Sequence, residues 1–129
     1  MRLVVAVLKP TQLEAVRQAL AAVHVTRLTV CDAHGYDGPV VVPGGAAVDG
    51  PAAGGLVQEA VMEIAVNEDF LERTVATIAA TLASDAAGAR PSAADSPQGW
   101  PDPLAGRLFV LPIVETVQIY RAVRGPEAL

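Results

Sequence analysis

Residues 35–55, GYDGPVVVPGGAAVDGPAAGG, divide this chain in two. Seven glycines and three prolines in 21 residues rule out a continuous strand or helix, because glycine loses too much backbone entropy and proline lacks an amide donor. Apolar, β-prone runs flank the stretch on both sides. Any fold open to the chain is therefore a scaffold built from the segments on either side, joined by a long loop. Structureless loops beyond about 12–15 residues are uncommon in compact domains and usually carry function or are disordered, so this one reads as the working arm. Its side-chain chemistry is sparse. From residue 28 to residue 72 there are eight acids and no Lys or Arg, so the region does not clamp a phosphate or carboxylate with cations of its own.

The flanking segments are easier to read. Residues 3–8 (LVVAVL) form an apolar run of strand length, ended by Lys9 and Pro10. The TQLE after them matches a capping box that starts a helix at Thr11, with Leu13, Val16, Leu20 and Val23 at helical spacing to about Val23. Residues 27–33 (RLTVCDA) alternate as a second strand. Residues 56–66 (LVQEAVMEIAV) form a third, antiparallel to the second, with Val57, Val61, Glu63 and Ala65 on one face and Ala60, Met62, Ile64 and Val66 on the other. Asn67 is placed to cap a second helix whose first turn carries Glu68, Asp69 and Glu72 and whose stripe of Phe70, Leu71, Val75, Ile78 and Leu82 runs to about Ala83. Residues 84–106 contain four prolines, with Trp100 and Leu104 as the sizeable apolar groups, and predict neither helix nor strand. Residues 107–113 (RLFVLPI) and 116–123 (TVQIYRAV) read as two further strands, with Pro112 marking an edge or bend. The order predicts an α+β, ferredoxin-like (split βαβ) domain over residues 1–129, with an antiparallel sheet and two helices on one face.

Charge and composition exclude several function classes. A formal charge of -5 argues against nucleic acid as a partner, since that binding needs a basic footprint. Cys31 is the single cysteine; it forms no internal disulfide and reads as a small buried hydrophobe. With no secretory leader and no apolar run long enough for a bilayer, a cytoplasmic location is expected. His24 and His34 with Cys31 and Asp32 match no closed zinc pattern. No nucleophile stands beside a base at readable spacing, so enzymatic activity is not expected.

Four stretches together carry a resemblance: MRLVVAVLKPTQLEAVRQAL at the start, TRLTVCDAHGYDG before the glycine-rich arm, LVQEAVMEIAV after it, and GRLFVLPIVETVQI with RGPEAL behind it. In order and spacing the chain resembles the PII signalling proteins over almost its whole length. The resemblance implies a homotrimer of ferredoxin-like subunits. Residues 35–55 fall on that family's T-loop, the arm that docks into transporters and enzymes, 84–106 on an expanded B-loop, and 122–129 on the C-loop.

The resemblance also implies an adenine-nucleotide site, for ATP, ADP or AMP, between subunits. Thr29 matches the threonine that holds adenine, and Gly35 the glycine at the T-loop base, with Tyr36 next to it. Gly106 and Arg107 stand where a Gly-Lys pair meets the phosphates. This chain departs from the pattern elsewhere. The family's TGxxGDGK loop is replaced by the 84–106 stretch, with Ala105 in the place of an Asp, and Gln118 and Tyr120 occupy the positions of two phosphate-binding arginines. Arg121 and Arg124 lie nearby as substitutes. For 2-oxoglutarate the family uses a lysine on the third strand, and here that position is Glu59. Covalent switching near the tip of the arm lacks an acceptor, because residues 37–73 contain no Ser, Thr or Tyr and Tyr36 sits at the arm's base.

The leading expectation is a non-enzymatic sensor that binds a small-molecule effector and regulates a membrane transporter or metabolic enzyme through its T-loop. The alternatives are a ligand-free trimeric interaction scaffold and a metal-binding trimer similar to the CutA proteins.

Overall fold

The computed structural model describes residues 1–36, 56–88 and 106–129. The bulk of the arm (37–55), and with it Asp49, lies outside the described residues, as do Arg90, Trp100 and Ala105. Strand β1 (Arg2–Leu8) stops at Lys9, and Pro10–Gln12 makes one 3-10 turn into helix α1 (Leu13–Ala22). Strand β2 is Thr29–Tyr36 and strand β3 is Leu56–Val66; helix α2 (Glu68–Gly88) then leads towards β4 (Arg107–Pro112). The sheet order is β2-β3-β1-β4, and every pairing is antiparallel. This is the ferredoxin-like arrangement that the alternation of runs predicts.

Side-chain parity explains how the sheet carries its helices. Val4, Ala6 and Leu8 of β1 stand in register with Ile64, Met62 and Ala60 of β3, and all six are buried. All but Ala60 join Val16 and Leu20 of α1 and Ile78 of α2 in one apolar core, whose burial is the main driving term for folding. The opposite face of the same strands carries Leu3, Val5 and Val7, with Phe109 and Leu111 beside them on β4. Among the described residues nothing covers this face: Phe109 is 49% and Leu111 46% exposed.

The structure corrects several local expectations. The capping box at Thr11 does not form, because the Lys9 amide donates to Gln12 Oε1 at 3.1 Å and the Glu14 carboxylate accepts from Arg17 and Gln18 instead. Helix α2 runs on through Ser84 to Gly88, since Ser84 Oγ donates to the Ala80 carbonyl at 2.9 Å and the next residues, Asp85, Ala86 and Ala87, include two strong helix formers. Residues 116–123 do not make one strand. They fold into a hairpin of β5 (Val117–Gln118) and β6 (Val123–Arg124), turned by Ala122 at φ 53 and pinned by Thr116 Oγ1 donating to the Gly125 carbonyl at 2.6 Å. Cys31 is exposed, because the alternation of β2 points it to the uncovered face, opposite Val61.

Candidate functional site

At one side of the sheet β1 and β2 finish and β3 and β4 begin. Both of the long stretches that precede β3 and β4 in sequence, 37–55 and 89–105, return to the sheet at this end. The residue that ties the strands together is Glu59. It points to the outward face of β3, yet its side chain is only 12% exposed, and its Oε1 accepts from Arg107 Nη2 at 3.3 Å. On its other flank the carboxylate lies against Gly35: a Cβ added there would stand 2.6 Å from Glu59 Oε2. Glycine at 35 is what lets the carboxylate lie flat on β2. Arg107 itself is half exposed, its side chain 54% accessible.

Gly106, immediately before Arg107, is held at φ +46 with the Leu82 side chain of α2 packed where a Cβ would be, 2.8 Å from Leu82 Cδ1. The start of β4 is thereby fastened to the helix layer. Tyr36 closes β2, opposite Leu56 in the backbone ladder.

The remaining candidates lie apart from this cluster. Thr29 is exposed at the far end of β2, in register with Glu63. Arg121 sits in the turn of the C-terminal hairpin, its amide donating to the Gln118 carbonyl at 3.3 Å. Arg124 on β6 donates from Nη1 to Glu115 Oε1 at 2.7 Å. Of the seven candidates, then, Gly35, Tyr36, Gly106 and Arg107 share the loop-bearing end of the sheet, while Thr29, Arg121 and Arg124 stand elsewhere. Reading the sequence misses Glu59 as the partner of Arg107. The signal is there, an acid in a largely apolar strand, but it becomes an ion pair only once β3 is placed beside β1 at the centre of the sheet. Cys31 and Asp32 fall on opposite faces of β2, and among the described residues no group of three His, Cys, Asp or Glu side chains is placed to hold a metal ion.

A separate surface cavity of about 230 Å³ opens at the other end of the sheet between Thr26, Arg27, Asn67 and Phe70. It touches none of the four clustered candidates. Among the described residues no helix is long and apolar enough to cross a membrane.

The fold has known counterparts. The family model described as "Nitrogen regulatory protein P-II" matches residues 1–123. The chain belongs to the PII family. Among PII relatives, the nitrogen regulatory protein GlnK1 of Methanosarcina mazei is 33% identical over 132 residues, covering 100% of this chain and 97% of that protein. A crystal structure of Arabidopsis thaliana PII bound to citrate superposes with a TM-score of 0.63 at 24% identity, over 98% of this chain and 87% of the other; at that identity it bears on the fold. PII proteins are non-enzymatic signalling proteins, and this chain is one of them.

Proposed function

We propose that this PII protein is a cytoplasmic homotrimer that binds an adenine nucleotide, ATP, ADP or AMP, in the clefts between its subunits and regulates a membrane transporter or metabolic enzyme through the 35–55 arm. The observation that carries the reading is the uncovered sheet face. Leu3, Val5, Val7, Phe109 and Leu111 form a continuous apolar surface of the kind that closed symmetric association buries. Thr29 and Arg107 stand on the two edge strands of one sheet, β2 and β4, which supports a site completed between subunits.

Titration calorimetry with ATP, ADP and AMP, alongside thermal shift, tests the ligand part. Heat and stabilisation with at least one nucleotide is the expected result; neither with any of them overturns it. In the same experiment 2-oxoglutarate, with or without Mg-ATP, gives no heat at millimolar concentration, because Glu59 stands where a cation would pair its carboxylates.

A second reading, a trimeric scaffold that binds its partner without a ligand, is favoured by one feature. Both Arg107 and Arg124 are already engaged by carboxylates of the chain itself, Glu59 and Glu115.

A further inference from the structure

Glu59 is an unusual neighbour for a residue that would hold phosphate. Its carboxylate is largely shielded from water, between the Arg107 guanidinium at 3.3 Å and the bare backbone of Gly35. The two ends of the pair are unequal: the acid is 12% exposed and fixed on the central part of the sheet, whereas the arginine is 54% exposed at the start of an edge strand. An anion arriving from solvent can therefore reach Arg107 but cannot reach past it. Each guanidinium donor given to the incoming anion is taken from Glu59, and the acid, shielded from water, is left without its counter-charge, which costs more than the loss of an exposed pair.

We propose that Glu59 is an internal competitor for Arg107, a residue that lowers the affinity of the site for every phosphate-bearing ligand by the cost of breaking its ion pair. This rests on the nucleotide reading of the site. The competing anion is built into the strand. Any phosphate that takes Arg107 exchanges one carboxylate for one phosphate and strands Glu59, whatever the length of its phosphate chain. Gly35 belongs to the same device, since any side chain there would push the carboxylate off its seat.

The test is calorimetry on the full-length protein and on Glu59→Gln, which keeps the shape and removes the charge, with ATP, ADP and AMP as probes. The expected result is binding about tenfold tighter in Glu59→Gln for each nucleotide that binds the native protein. Glu72→Gln, the same charge change on an exposed turn of α2, leaves all affinities within about twofold. In the double variant Glu59→Gln/Arg107→Gln the gain disappears, as a cycle on two interacting groups requires. If the native protein binds nucleotide and Glu59→Gln binds equally or more weakly, the competitor role is wrong while the nucleotide reading stands. If the gain survives loss of Arg107, or Glu72→Gln produces it too, the pair is not its source and the proposal falls. Absence of binding in all the proteins overturns both readings together. Far-ultraviolet circular dichroism on each variant establishes that the comparison is between folded proteins.

Discussion

At the scale of single residues, backbone conformation and neighbouring charge carry different information. Gly106 is confined by a positive φ and by Leu82 on α2, so Gly106→Ala costs about 1–2 kcal/mol from the left-handed backbone alone, read as a lower urea midpoint at unchanged slope. Glu14 is the clearest titration feature. The hydrogen bond from Arg17, and after it that from Gln18, bring its carboxyl from the ordinary 4.5 to about 2. A carboxyl depressed in the folded state stabilises the protein above its unfolded value, and that contribution is lost as pH falls from there through about 2. Thermal unfolding of the native protein and Glu14→Gln therefore differs near neutral pH and converges as the pH is lowered towards 2; a gap that widens on acidification contradicts this. Glu68 shifts in the same direction through the Met1 ammonium and Arg2. Residue identity alone shows that Arg107 and Glu59 carry opposite charges at special positions. It cannot show that they meet, because their separation in sequence is bridged only by the strand order.

Elements are more legible than their ends. Strand β3 appears in the sequence with the bounds it has in the structure, since glycines stop it on one side and Asn67 on the other, and its alternation announces which face meets the helices. Helix α2 is harder to bound, because its last turns, Ser84 to Gly88, have a composition shared with loops. The hairpin of β5 and β6 is hidden for a related reason: TVQIYRAV has strand-like residues throughout, and the reversal depends on Ala122 taking a positive φ, which alanine's identity does not signal. At the start of α2 the sequence points to a side-chain cap that the structure does not make. The Phe70 amide donates to the Asn67 main-chain carbonyl at 3.0 Å, while Asn67 Oδ1 is buried with no hydrogen-bond partner among the described residues. Asn67→Ala is therefore expected to cost less than the roughly 1 kcal/mol typical of a working cap. Ile78→Ala, in the fully buried centre of the same helix, costs about 2–5 kcal/mol. Chemical denaturation of the two variants checks the contrast, and equal losses would mean that Asn67 caps the helix in solution.

For the whole molecule, the decisive property is that one face of the sheet is finished and the other is not. Sedimentation is expected to give three times the 13.3 kDa chain mass. Phe109→Asp, which places a charge on the uncovered face without touching the core, should give monomers that keep their circular dichroism. A monomeric native protein, or a Phe109→Asp variant that still trimerises, would place the interface elsewhere. The arrangement of strand ends has a separate bearing on how such a chain can be altered. Inserting one residue within β3 would exchange its two faces, turning Glu63 into the helices and Ile64 out of them. Length added between Tyr36 and Leu56, which lie opposite each other in the ladder, or between the end of α2 at Gly88 and the start of β4, shifts no register. Those two intervals are where a reporter domain could be spliced into the protein with the scaffold left intact.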